Sequence, residues 1–253
     1  YSLIPENDQV RMHKQIGNLI LDHAQDDKIN DVLFIAVDQL NRCKKTITKE
    51  KERTQLAMLN LKAGEKAMSL ATFLNSASYL KAGIDVLCDD HWEKCYNLSL
   101  QLHSLYAEAE YCNGHLKEVA LAIDVVIAHA RSFKDKLCIY ALLIKLLAAE
   151  NKLHEAMQIG FDVLKALGVP FPSPLPDKSN AVRKIMKTSM ALKNTSTEEF
   201  LNHHKMNDEN MIESMKFLQI LLNYSFIAKQ EHLPVIIDQM MQLTLRFGVC
   251  KES

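Results

Sequence analysis

Glycine and proline are the scarce residues of this chain. Seven glycines are spread over 253 residues without clustering. A phosphate-cradling loop needs clustered glycines, because only they let the backbone close on the anion. No Gly-x4-Gly-Lys-Ser/Thr loop is present, and neither is the His-Arg-Asp or Asp-Phe-Gly set of a protein kinase. After Pro5 the next proline is Pro170, so about 160 residues run without the strongest helix breaker. Charge of one sign is also missing. The formal net charge is -1, which gives no overall field to gather nucleic acid or an acidic membrane. No apolar run reaches the roughly 18 residues of a membrane-spanning helix. The six cysteines (Cys43, Cys88, Cys95, Cys112, Cys138 and Cys250) fall mostly inside amphipathic runs. They read as reduced cytoplasmic thiols, not as a disulfide framework.

What is present is helix. Hydrophobic residues make up 48% of the chain, enough for a substantial core. They recur at three- and four-residue spacing, with no sustained alternation, and predict about eleven helices. The first, near 7–24, would bury Val10, Ile16, Leu19 and Ile20. The second, 29–42, would bury Val32, Leu33, Ala36, Val37 and Leu40. Thr46 and Thr48 are candidate caps for a third helix over 49–68, which presents Leu56, Leu59, Leu61 and Ala67. A fourth follows over 70–88. Asp90-His91-Trp92-Glu93 resembles a capping box and would open a fifth that ends at Gly114. A sixth follows over 115–130. Ser132 would cap the seventh, which ends near Asn151, and Gly168 would end the eighth. Val169 to Pro176 carries four prolines at alternate positions and predicts a stiff extended connector. Helices resume near 181–193, 211–229 and 233–247, with a polar stretch over 195–210. Pro234 and Gly248 mark the two ends of the last helix.

A repeat is the most informative pattern. Asn113-Gly-His-Leu116-Lys-Glu118-Val119 aligns with Glu150-Asn-Lys-Leu153-His-Glu155-Ala156 at an offset of about 37 residues. Leu105 then matches Leu142, and Val126 matches Val163. A weaker copy lies upstream, with Ala77 to Leu80 in the second-helix position. Each unit is helix, tight turn, helix. One hairpin cannot bury both apolar faces, so hairpins stack. The expected fold class is therefore all-α, with TPR-like helical-hairpin repeats forming a right-handed superhelix.

Several stretches, in order, resemble the helical region that follows the winged helix of STAND-type AAA ATPase modules in large hybrid signalling kinases. They are Tyr1-Ser-Leu-Ile-Pro5-Glu with His13-Lys-Gln-Ile-Gly17, and Asp38-Gln-Leu-Asn41, where Gln39 replaces the family's usual His. The most specific is Leu56-Ala57-x-Leu59-Asn60-Leu61-x-Ala63-Gly64-x-Lys66-Ala67, with Glu52-Arg53 before it. Ala107 to Tyr111, Leu167-Gly-Val-Pro170 and Leu243-Thr-Leu-x-Phe-Gly248 complete the resemblance, which spans essentially the whole chain. It implies a regulatory or sensor arm. Residues 1–45 would follow the winged helix, 46–168 would form the repeats, 169–178 the Pro-rich connector and 179–253 the C-terminal hairpins. The chain begins at Tyr1 and not at Met, which reads as a fragment. ATP and Mg2+ would then belong to missing parent domains, and the partners would be neighbouring ATPase and kinase domains or other proteins. The alternatives are a free-standing adaptor with a peptide in its concave groove, and an enzyme built in the repeat cavity.

No catalytic, cofactor or metal set emerges. Cys88, His91 and Cys95 could ligate zinc together with Cys112 and His115. The helix between Cys95 and Cys112 is about 25 Å long, which keeps the two groups apart. His203-His204 lacks a dimerisation-helix context. Met206, Met211, Met215, Met240 and Met241 read as core, and Lys44-Lys45 with Lys49 to Arg53 as a solvated face. Tyr106, Glu110 and Tyr111, on the first helix of a repeat, are the candidate peptide groove. No nucleic acid, membrane insertion or small-molecule substrate is expected.

Overall fold

A computed structural model describes residues 5–23, 29–172, 178–193, 204–228 and 231–253. Tyr1 to Ile4, Pro174, Pro176, His203 and the polar stretch 194–203 lie outside the described residues. The chain is all-helical. Its helices are α1 (Glu6–His23), α2 (Ile29–Arg42), α3 (Glu50–Ser69), α4 (Phe73–Val86), α5 (His91–Lys94), α6 (Tyr96–Asn113) and α7 (Leu116–His129) in a first unit. The second unit holds α8 (Leu137–Ala149), α9 (Leu153–Ala166), α10 (Lys178–Lys193), α11 (Glu209–Ala228) and α12 (Leu233–Phe247). The units divide between Lys136 and Leu137. The only β feature among the described residues is an isolated parallel bridge, Lys205 to Val249.

Within each unit, successive helices pack as hairpins, and the first helix of one hairpin lies on both helices of the hairpin before it. Thus α6 packs on α4 and α3, and α11 packs on α9 and α8. The first unit is centred on α3, which touches α2, α4 and α6. Small residues allow this. Ala57, Ala63 and Ala67 are fully buried, and the Leu80 side chain of α4 fills the place a Cβ would take on Gly64. Ser76 of α4 donates to the Gly64 carbonyl at 2.8 Å. Asn60, also fully buried, exchanges two amide hydrogen bonds of 2.8 Å with Asn41 of α2. Tyr79 of α4 donates to Asp38 of α2 at 2.9 Å, so the stretches around residues 38–41 and 56–67 face each other.

The sequence repeat becomes a repeated turn. Gly114 and Asn151, equivalent in the alignment, both have positive φ, at 78° and 62°. Ala71, between α3 and α4, has φ 55°. At all three the next residue's N–H reaches back five residues, from Thr72 to Ala67, His115 to Glu110 and Lys152 to Leu147. This is the Schellman closure, which satisfies carbonyls orphaned at a helix end. Gly168 and Val169 close α9 in the same way.

Other expectations need correction. Ile16 and Leu19 are 41% and 59% exposed, and the inward side of α1 carries buried Gly17 and partly buried Leu21 together with the expected Val10. Gly17 turns inward because Leu40 presses on it. The expected fifth helix breaks at Cys95, where Ser99 Oγ donates to the carbonyls of His91 and Cys95. Asp90 makes no capping bond, and its carboxylate pairs with Lys94 at 2.8 Å. Thr46 and Thr48 do not cap α3, whose N-cap residue is Lys49. Ser132 behaves as expected one turn earlier. Its Oγ accepts from the Asp135 N–H, and Asp135 accepts from the Ser132 N–H, before the 3-10 turn that leads into α8.

In the second unit Phe217, Leu218 and Leu221 of α11 pack with Met157 and Leu164 of α9 and Ile236 of α12. Met206 and Met215 are buried here, with Met211 and Met240 packed against them. The start of the connector is anchored. Phe171 stacks on Phe161 of α9 at 4.2 Å and on His232 at 5.5 Å, and Gln239 donates to the Pro170 carbonyl at 3.1 Å. Gly248 has φ 100° and lies against the backbone of His204 and Lys205, where no side chain fits.

Ala71 in the left-handed region costs about 1 kcal/mol that glycine would recover. Ala71→Gly should raise the urea midpoint read by Trp92 fluorescence, and an unchanged or lower midpoint would argue against this turn. Gly248→Ala should cost at least about 2 kcal/mol, seen as a lower thermal midpoint by circular dichroism.

Candidate functional site

The first unit carries two concavities on the face built from the first helices of its hairpins. Met58 and Lys62 stand one turn apart on α3, and Met58 is 49% exposed. On one side a cavity of about 540 Å³ lies between α1 and α3, with Lys14, Asn18 and Leu21 on one wall and Leu56 and Leu59 on the other. On the opposite side a cavity of about 730 Å³ lies between α3 and α5–α6, walled by Thr54, Leu61, Glu65, Asn97 and Gln101. Met58 and Lys62 line both, so the two cavities adjoin along α3. Aligned on the turns at Ala71 and Gly114, Thr54 matches Asn97 and Met58 matches Gln101. The same positions of successive hairpins therefore face the groove.

Ion pairs set the spacing of its walls. Lys14 of α1 reaches Glu52 of α3 at 2.6 Å and holds that carboxyl below its usual range. Lys94 of α5 reaches Glu50 at 3.1 Å and Asp90 at 2.8 Å, and both carboxylates keep it protonated. Arg131 closes the far end. It lies 4.2 Å over the Tyr96 ring and donates to the Trp92 carbonyl at 3.0 Å. Tyr96 in turn donates to Asp135 at 2.8 Å.

Behind this rim is a ladder of rings around the only tryptophan of the chain. Trp92 of α5 lies between His129 of α7, at 4.8 Å, and His103 of α6, at 5.1 Å. His91 stacks on His103 at 5.7 Å and also meets Trp92 at 5.5 Å, so these three rings form a mutual cluster. His103 is buried, and its Nε2 has no partner among the described residues. Burial, with smaller contributions from His91, Lys81 and His129, pushes its pKa down to about 4. Burial also lowers that of His91, against the opposing pull of Asp89 and Asp90. Burial thus favours the neutral form of His91 and His103.

Tyr106, Glu110 and Tyr111, the residues expected to form a groove, do not line these two cavities. Tyr106 lines a smaller cavity of about 170 Å³ between α4, α6 and α7, with Lys81, His103 and Glu118. Its hydroxyl is pushed up to about 12, first by burial and then by the Glu110 carboxylate that it hydrogen-bonds. Glu110 is buried and also meets His115 Nδ1 at 2.6 Å. The structure therefore joins Tyr106 and Glu110 in the seam of the α6–α7 hairpin. Tyr111 is not among the residues of that cavity. Sequence reasoning missed Met58, Lys62, Asn97 and Gln101. The available signal was a set of exposed, non-packing residues at equivalent positions of the repeat. Among the described residues no three His, Cys, Asp or Glu side chains form a metal-binding group. His91 instead contacts Ser99 Oγ at 2.8 Å. The lysines read as a solvated face pair with acids, Lys44 with Asp85 and Lys49 with Glu52. No described helix is long and apolar enough to cross a membrane.

His103 sets the sign of a pH effect. Its folded pKa lies below the unfolded value of 6.5. The unfolded chain therefore binds more protons between pH 6.5 and about 4, and stability falls as pH drops through that window. The loss attributable to His103 is about 3 kcal/mol. His103→Leu should flatten the slope in urea titrations read by Trp92 fluorescence, and an unchanged slope would exclude His103 as its source. No family model, no curated protein and no solved structure matches this chain, so its function is argued from this geometry.

Proposed function

We propose that this chain is a non-catalytic helical-repeat segment that works by protein–protein or interdomain contact. Its hairpins stack in TPR fashion into a right-handed superhelix, and the groove over α1, α3 and α6 holds a peptide segment of the partner. The observation that carries this reading is the adjacency of two cavities that share Met58 and Lys62, with equivalent repeat positions on their walls. A groove of this kind suits recognition through side-chain pockets and backbone hydrogen bonds.

Following the family resemblance, the segment is a sensor or regulatory arm of a multidomain, cytoplasmic ATPase-kinase signalling protein. ATP and Mg2+ then act in other domains. Support comes from the mutual packing of two stretches that carry the resemblance, through Asn41 with Asn60. Binding at the groove would shift an equilibrium between packed and released arms by the difference in affinity for the two states. A free-standing adaptor would use the same groove, and the two differ only in whether the bound peptide is intramolecular.

Met58→Arg should block the junction of the cavities and abolish saturable binding to an immobilised peptide array. Leu121→Arg, at a position 67% exposed and outside the groove, should leave binding intact. Binding indifferent to Met58→Arg, or no saturable binding by the unaltered chain, would defeat the proposal.

A further inference from the structure

The walls of the groove also carry information about what lies in it. Four amide side chains border it, Asn18, Gln55, Asn97 and Gln101. All four are exposed, and none has a hydrogen-bond partner among the described residues. An amide supplies donors and an acceptor together, which matches the free N–H and C=O groups of an extended strand. A helix would offer none, because its backbone groups are satisfied internally. Between the amides, exposed Met58 supplies an apolar and adaptable contact.

The charges are unequal once internal pairs are removed. Glu52 is taken by Lys14, and Lys94 is taken by Asp90 and Glu50. Arg131 is turned onto the Tyr96 ring and the Trp92 carbonyl. Asp22, Glu65 and Glu93 remain on the groove walls without an ion-pair partner among the described residues, against two unpaired cations, Lys62 and Arg131, the second held on the Tyr96 ring. Complementarity across an interface then favours a ligand of positive charge.

We infer that the occupant of this groove is an extended peptide carrying basic side chains beside an apolar residue. Its backbone is read by the amides, its apolar residue sits at Met58, and its lysines or arginines meet Asp22, Glu65 and Glu93. This inference rests on the groove reading above and specifies the chemistry of the partner.

The test uses three short fluorescein-labelled peptide pools of equal length. All carry leucine at the same positions, and alternate positions are Lys/Arg, Asp/Glu or Ser/Asn. Fluorescence polarisation should show the basic pool binding about tenfold tighter than the neutral one. That preference should weaken with salt and drop to about twofold in the triple variant Asp22→Asn, Glu65→Gln, Glu93→Gln. These positions form no internal pairs, so circular dichroism should confirm an unchanged fold. Equal or tighter binding of the neutral or acidic pool, lost in Met58→Arg, would overturn the charge inference while leaving the groove reading in place. Retention of the full preference by the triple variant would also overturn it. Binding of no pool would overturn both.

Discussion

The first unit depends on how closely three helices can approach α3. A helix with large side chains all round keeps its neighbours about 8–10 Å away, axis to axis. On α3 the buried positions are Ala57, Asn60, Ala63, Gly64 and Ala67, alternating with Leu56 and Leu61. Leu80 enters at Gly64, and on the neighbouring α4 Leu102 enters at Gly83 beside Asn60. Each leucine fills a void that the glycine leaves, so the contact buries apolar surface without opening a cavity. The approach also brings Asn60 within reach of Asn41, and a buried amide must be paired or it costs about 1–3 kcal/mol. Close packing and polar pairing are therefore one arrangement. Neither survives if α3 is pushed outward.

The same constraint explains which parts of the fold were legible in the sequence. Leucine and alanine spacing marked the long helices, and the alignment of residues 113–119 with 150–156 located a turn that proved identical in hydrogen bonding. The upstream copy was harder, because Ala71 occupies a left-handed position that usually calls for glycine or asparagine. The inward face of α1 was misread for a complementary reason. Apolar counting scores Ile16 and Leu19 and ignores Gly17, yet Gly17 is the residue that meets α2. Where helices touch through small residues, the largest side chains need not mark the interface.

The site was less legible. Tyr106 and Glu110 were chosen because they stand on a first helix, but such a helix has one side toward the groove and another toward its own hairpin. Periodicity alone does not separate these sides, since Tyr106 and Gln101 both recur at helical spacing. Only the packing of α4 and α7 shows that Tyr106 and Glu110 close a seam, where Glu110 joins the tyrosine to His115. The residues lining the two cavities beside Met58 look unremarkable in sequence, because Asn97 and Gln101 are marked only by having no hydrogen-bond partner among the described residues. Asp90 misled for a related reason. Its spacing to Glu93 suited a capping box, but Lys94 offered a charge-assisted contact at 2.8 Å in place of a backbone bond.

The short helix α5 connects the groove to the histidine ladder. Its four residues are too few to be stable as an isolated helix. Glu93 and Lys94 form part of the groove wall, while His91 and Trp92 enter the ring ladder. The groove rim is thus held in place by ring contacts and by salt bridges from Lys94, not by its own backbone. The ring contacts depend on protonation, because falling pH charges His103, whose burial favours the neutral ring. The short rim beside the closely packed α3 is therefore tied to a buried imidazole, so its packing responds to the protonation of one residue outside the cavity it borders.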